Sequence, residues 1–324
     1  MSLGPSTPTN WVPADGFRLA LLRPSKRKSS GYPSAILDFE TAMAPRTAKH
    51  GGSWVITQGR GMWADLGHRF ATAALQDRDP ALASKFYRKV PLPPALFMRF
   101  GTMDPTPRAI LGFANRYGLL GLRESLVNES SEREEVWDVE HLETWRREIL
   151  RMSWAIQLKE AMRLHDSDAV GKMLHLDKGR IRLRGSFAYT RSLGREELRS
   201  HREVFESQLQ FAHSSTFESM GEAASACLVF LVESGMRDHV TLRMIPDPET
   251  LQLHLTPVAT SLAGDLWVQL AKAITANKEI RSCPNCGEPV PIVPPATRRN
   301  RKYCTEACRS AAYRKRRDSV SPGS

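Results

Sequence analysis

Four cysteines near one end of the chain have the types and spacing to hold a metal ion. Cys283, Cys286, Cys304 and Cys308 follow the pattern C-x2-C-x17-C-x3-C. Zinc takes four soft ligands in a tetrahedron, with Zn–S near about 2.3 Å. The first pair, in "CPNCG", forms a knuckle in which two intervening residues let both thiolates curl onto one ion. Gly287 tolerates the backbone conformation that follows. The second pair, four residues apart, lies on one side of a helical turn. Placed immediately before a basic helix, its thiolates gain from the partial positive charge of the helix N-terminus. The expected cofactor is one structural Zn²⁺. Four thiolates leave no open position for water, so catalysis at this ion is disfavoured.

The charge around these cysteines defines a second chemistry. Ten Lys or Arg lie between Arg281 and Arg317 against only Glu288 and Glu306, so this stretch holds +8 of the formal net charge of +11. A divalent ion with four thiolates carries −2, which offsets part of that excess and leaves a wide surplus. "RRNRK" supplies Arg298, Arg299, Arg301 and Lys302 just before Cys304. After Cys308 come Arg309, Tyr313, Arg314, Lys315, Arg316 and Arg317. Ala311, Ala312 and Lys315 share the Cys308 side of the expected helix, and the arginines fall on other sides. Arginine forks suit phosphates, and Tyr313 can stack or hydrogen-bond. The expected partner is nucleic acid, DNA ahead of RNA, and the alternative is a protein-interaction adaptor built on the same zinc module.

The rest of the chain must position this module. A 41% hydrophobic fraction in 324 residues supports a packed core. The longest apolar run, "ACLVFLV" from Ala226 to Val232, is too short to span a bilayer. The N-terminus shows no basic region followed by an apolar core, so no signal peptide is expected and neither is a membrane partner. A cytoplasmic location with reduced thiols follows. Cys227, inside that apolar run, reads as a small buried hydrophobe.

The expected fold class is α+β, a mainly helical body with a β-hairpin plus a small treble-clef-like zinc module. The expected divisions are a flexible basic, proline-rich arm over 1–34, the body over 35–279, the zinc module over 280–317 and a disordered tail over 318–324. "TPRAILGFANRYG" sets Thr106 as N-cap, Pro107 at the first helical position and Gly118 as stop, with Ile110, Phe113, Ala114 and Tyr117 on one face. A longer helix over 139–164 repeats Leu142, Trp145, Ile149, Met152 and Ile156 at 3-4-3-4 spacing. That seam packs within the chain or against a second copy as a homodimer interface. "ELRSHREVFESQLQF" and "STFESMGEAASACLVFLVESG" also read as helices, and "DLWVQLAKAIT" as the last helix of the body. Val240, Leu242 and Met244, then Leu251, Leu253 and Leu255, alternate about the turn "PDPET" and form a hairpin. "GSWVITQG" and "GRIRLRGSFAY" are further strands.

The stretch "DLWVQLAKAITANKEIRSCPNC" with the basic segment, second cysteine pair and Arg-rich helix resembles the C-terminal zinc fingers of bacterial CGNR-type proteins, over residues 262–317. The resemblance implies a nucleic-acid-binding regulator with a largely helical N-terminal domain, and the four cysteines as zinc ligands. The family has Gly-Asn-Arg after its last cysteine, whereas Cys308 is followed by Arg309, Ser310 and Ala311. No contact by that motif therefore carries over. The tight second pair is similar to that of small bacterial gyrase-inhibiting zinc proteins. Nucleases of the His-Asn-His type also use treble clefs, but they need a histidine base and none occurs after His254.

One enzymatic alternative lies in "AILDFETAM". Asp38 and Glu40 resemble the first motif of DEDD-type 3′–5′ exonucleases, in which an acidic pair at a strand end binds metal. Such enzymes need two further aspartates, for which Asp65 and Asp238 are available. Gly-rich phosphate loops, nucleophile elbows and His-Glu-x-x-His are absent, so a binding protein is favoured over an enzyme.

Overall fold

The computed structural model describes residues 9–13, 17–24, 34–39, 53–58, 87–122, 124–128, 135–178, 180–183, 206, 217–246, 250, 252–276, 280–285, 289–291, 302–303 and 306–320. The chain is α+β and divides into two compact units. Each is assembled from non-contiguous segments rather than from one continuous body over 35–279.

The first unit takes residues 1–92, 104–148 and 239–265. It is organised around a closed barrel. The barrel strands are β2 (Phe17–Pro24), β3 (Ser34–Phe39), β4 (Ser53–Gln58), β6 (Glu124–Asn128) and β7 (Glu135–His141), in the order β2-β3-β6-β7-β4. All pairings are antiparallel except β3 with β6. Closure leaves these strands no open edge. A separate pair joins β1 (Thr9–Pro13) to β5 (Tyr87–Pro91). The described residues of this unit are mostly strands, within a chain that mixes helix and strand. One expectation is corrected here: the stretch 1–34 holds β1 and β2 rather than being a flexible arm throughout. The reason is pairing: β1 finds its partner in β5, and β3 finds one of its partners in β6, across separations that no local pattern reveals.

Helix α1 (Leu96–Thr102) belongs to the second unit, and α2 (Pro107–Tyr117) to the first. α2 forms as its sequence dictates. The Thr106 hydroxyl accepts a hydrogen bond from the Ala109 N–H at 3.3 Å, Pro107 opens the first turn, and Gly118 ends the helix at φ 102°. Its face of Ile110, Phe113, Ala114 and Tyr117 is buried, with Phe113 packed edge-on against Trp145.

The strongest polar fixture of this unit is Glu140, at the end of β7. It is fully buried. Its carboxylate accepts hydrogen bonds from the Leu120, Gly121 and Leu122 N–H groups at 3.0, 2.6 and 2.8 Å, and from Trp145 Nε1–H at 2.8 Å. A buried charge is tolerated only with such a full set of donors. Gly121 is required in this clamp. Its φ is +90°, and a Cβ there would meet the Ser261 Cβ at 2.5 Å.

The second unit takes residues 93–103, 149–238 and 266–324. Its helices include most of α3 (Leu142–Arg163), with α4 (Ser167–Met173), α5 (Met220–Met236) and most of α6 (Leu262–Thr275). Strands β8 (Leu174–Asp177) and β9 (Arg180–Leu183) form a hairpin. α5 starts where Ser219 caps it, its hydroxyl accepting from the Glu222 N–H. Gly235 lets α5 lie directly against the Trp267 ring, where any Cβ would collide. The Arg151 guanidinium stacks over that ring, 5.7 Å from its centroid, and donates to the Ser234 hydroxyl. Cys227 is 1% exposed, and burial pushes its thiol pKa up to about 12. With Trp154, Leu158, Leu174 and Leu231 it lines an apolar cavity of about 10 Å³.

The α3 seam is also settled. Leu142, Trp145, Ile149, Met152 and Ile156 are 0–5% exposed. The chain's own core fills the seam, so the expectation of a homodimer through 139–164 is corrected. The helix begins at Leu142, after β7. Among the described residues no helix is long and apolar enough to cross a membrane. Most of "ELRSHREVFESQLQF" lies outside the described residues.

The hairpin expected after α5 is present. β10 (Val240–Pro246) pairs antiparallel with β11 (Leu253–Ala259), Val240 opposite Ala259 and Met244 opposite Leu255. Alternation along a strand usually means one covered face. Here residues 241–246 and 252–255 are all exposed.

Candidate metal centre

The first cysteine pair falls where two short strands turn. β12 (Ile280–Ser282) pairs antiparallel with β13 (Pro289–Pro291), Ser282 opposite Pro289. That register leaves residues 283–288 as the connecting loop, and "CPNCGE" occupies it. β13 packs beside α1 in the same unit. Val290, at the centre of β13, is fully buried.

Cys283 opens the loop and is 2% exposed. A buried thiol just before the turn at residues 284–285 suits a metal knuckle, because its side chain is held inward. Asn285 also draws inward, its side-chain oxygen buried with no hydrogen-bond partner among the described residues. Cys286 lies outside the described residues.

The second pair meets the start of α7 (Glu306–Val320). Cys308 is half-buried and sits in the first turn. The expectation that both cysteines precede the helix is therefore corrected for Cys308: the helix starts at Glu306, where an acidic first-turn residue suits the positive end of the dipole. Cys304 lies outside the described residues. The helix runs to Val320, so the first residues of the expected tail over 318–324 are helical.

Cys227, Cys283 and Cys308 are thiols rather than halves of disulfides. Among the described residues no three His, Cys, Asp or Glu side chains gather in a group that could hold a metal. Two of the four expected ligands fall outside those residues. The surroundings of the two described cysteines suit zinc on chemical grounds. Both belong to the second unit, one is enclosed in a hairpin loop, and the other lies where a helix N-terminus favours a thiolate. If bound, the ion would supply a structural cross-link and no chemistry at substrate.

The basic residues divide by accessibility. Arg309, Tyr313 and Arg314 are exposed on α7, with Tyr313 at 66%, while Ala311 and Ala312 are half-buried. For Ala311, Ala312, Arg309, Tyr313 and Arg314 that agrees with the helix wheel, while the side chains of Lys315, Arg316 and Arg317 lie outside the described ones. Lys302 is exposed and Tyr303 half-buried just before the helix. Arg298, Arg299 and Arg301 lie outside the described residues. Lys315, Arg316 and Arg317 continue α7. Glu306 is a partner that charge counting missed, an ion pair with Arg309 at 2.6 Å. Its spacing of three residues was the available signal.

Of the acidic pair, only Asp38 falls among the described residues. Asp38 lies in β3 opposite Leu21, one residue before the strand ends at Phe39. Glu40 and Asp65 lie outside the described residues, and Asp238 follows the end of α5. No family model, no curated protein and no solved structure matches this chain.

Proposed function

We propose that this chain is a zinc-stabilised nucleic-acid-binding protein, regulatory in role, that holds phosphates through its C-terminal module. One structural zinc on Cys283, Cys286, Cys304 and Cys308 would tie the β12–β13 loop to the first turn of α7. The observation that carries the reading is the face of α7: Arg309, Tyr313 and Arg314 stand exposed while Ala311 and Ala312 turn inward. A helix that half-covers two alanines and presents arginine and tyrosine is dressed for a polyanion. Arg298, Arg299, Arg301, Lys302, Lys315, Arg316 and Arg317 add charge on either side.

The experiment is a salt titration of binding to duplex DNA and to RNA of unrelated sequences. Removing one phosphate-binding charge should flatten the log K against log salt slope by roughly 0.7 to 0.9. Arg309→Ala with Arg316→Ala should weaken binding about equally on every sequence and lower the slope by about 1.4 to 1.8. Zinc content should stay constant, because neither side chain is a ligand. Unchanged affinity for both polymers would end this reading and leave the adaptor role as the better account.

A further inference from the structure

We infer that the β10–β11 hairpin is a contact surface for a second copy of this chain. The hairpin is fixed at its base and bare along its length. At the base the Thr260 N–H donates to the His239 carbonyl at 2.9 Å, and the Ser261 hydroxyl lies 3.0 Å from His239 Nδ1. Ser261 Oγ also accepts from the Gly264 N–H at 3.1 Å, and Gly264 is the residue that fits against the His239 carbonyl. Beyond this anchor Leu242, Met244, Leu253 and Leu255 are 66, 57, 62 and 61% exposed.

The register puts these side chains on one face. Leu242 lies opposite Pro257, Met244 opposite Leu255, and Pro246 opposite Leu253. Alternation turns Thr241, Arg243, His254 and Thr256 to the other face, together with Val258 and the 42% exposed Ile245. The ribbon therefore carries three apolar rungs with no charge and no hydrogen-bonding side chain on that face. A bare two-stranded ribbon is marginal in water and gains most from a cover on its apolar side.

Three observations point to a second copy as that cover. The face has nothing to offer a phosphate, which excludes nucleic acid. The chain carries a net charge of +11, so two copies repel except where they meet on an uncharged face. The rungs are also self-complementary. A two-fold axis through the central Met244–Leu255 rung lays the Leu242–Pro257 rung of one copy over the Pro246–Leu253 rung of the other, apolar on apolar, as an isologous contact needs. The four most exposed side chains offer on the order of 500 Å² per copy, hence about 1,000 Å² in total, where a specific but weak interface begins. The expected dimer is concentration-dependent.

Sedimentation velocity on the full chain, from about 1 to 100 μM, tests this at the affinity such an area supports. The wild type should pass from chain mass to twice chain mass. Met244→Thr with Leu255→Thr keeps a cross-strand pair that favours strands but removes the apolar rung. It should stay folded by circular dichroism and weaken association at least tenfold. A second arm does not depend on that variant. With Met244→Cys in zinc-loaded protein, mild oxidation should yield a covalent dimer, whereas Thr241→Cys on the opposite face should not. A wild type that remains monomeric throughout, a threonine variant that associates equally, or equal cross-linking from both faces overturns the assignment.

Discussion

Arg309 Nη2 lies 2.6 Å from Glu306 Oε1 across one turn of α7, and the two side chains are 67 and 70% exposed. One exposed guanidinium of the proposed phosphate-binding face is thus already shared with a carboxylate. An exposed pair of this kind adds little to stability, so a polyanion can take the arginine over. Glu306→Gln should then tighten binding to unrelated DNA sequences and steepen the salt slope by roughly 0.7 to 0.9. Thermal stability should not move. Fluorescence anisotropy across a salt series checks both.

Zinc removal should dismantle the tail and leave the barrel of the first unit folded. Cys308→Ser, or chelation of the wild type, should abolish metal binding and unfold residues 283 to 317, because metal-binding energy on the order of 10 kcal/mol is folding energy in such modules. Metal analysis should give one zinc per wild-type chain, and protease digestion should cut the variant within this stretch. Well under one zinc in protein purified without chelator would count against the site.

Glu140 should be among the most sensitive positions for stability. Glu140→Leu leaves the Leu120, Gly121 and Leu122 N–H groups and the Trp145 indole N–H without their acceptor. Each unsatisfied buried donor costs about 1–3 kcal/mol, so the loss should exceed about 3 kcal/mol. Urea denaturation followed by tryptophan fluorescence measures it. Zinc content should be unaffected.

Cys227 should be chemically silent in the folded chain. With its pKa pushed up to about 12 by burial, almost no thiolate exists at neutral pH. Alkylating reagents should modify it only after denaturation. The sign of the pH dependence follows. The folded state keeps its proton above pH 9 while the unfolded state loses it, so stability falls as pH rises between 9 and about 12, by about 1.4 kcal/mol per unit from this group. Cys227→Ala should remove that contribution to the slope in urea melts at successive pH values.

Local chemistry was legible in the sequence and long-range pairing was not. Thr106, Pro107 and Gly118 marked the ends of α2 because capping acts within one turn. The α3 seam was legible as an apolar stripe, but a stripe does not say whether its partner lies in the same chain. "GSWVITQG" reads as a strand and holds β4, and "GRIRLRGSFAY" holds β9 over Arg180–Leu183, its remainder lying outside the described residues. The barrel did not emerge, since its β3–β6 pairing joins Ser34 to Val127. Prolines and a basic loop also disguised β1 and β2 as an arm. Glu140 gave no signal, because its donors are backbone groups 18 to 20 residues earlier and an indole. At the candidate centre, cysteine spacing and the sorting of alanine from arginine were visible in advance. The Glu306 carboxylate was visible too and was counted only as a charge.

The strand order of the barrel bears on synthesis. β2, β3 and β4 leave the ribosome first and can pair only as a three-stranded sheet, β3-β2-β4. Both outer edges of that sheet stay open until β6 and β7 follow, after residue 124. Open edges template pairing with other chains, and pairings so distant in sequence form slowly. The nascent chain therefore passes through a vulnerable interval of more than sixty residues, from Gln58 to Glu124, in which its barrel lacks the two strands that close it. Ribosome-stalled chains ending before Glu124 should be sensitive to protease across β2–β4 and prone to aggregate. Chains extended past His141 and clear of the exit tunnel should become resistant.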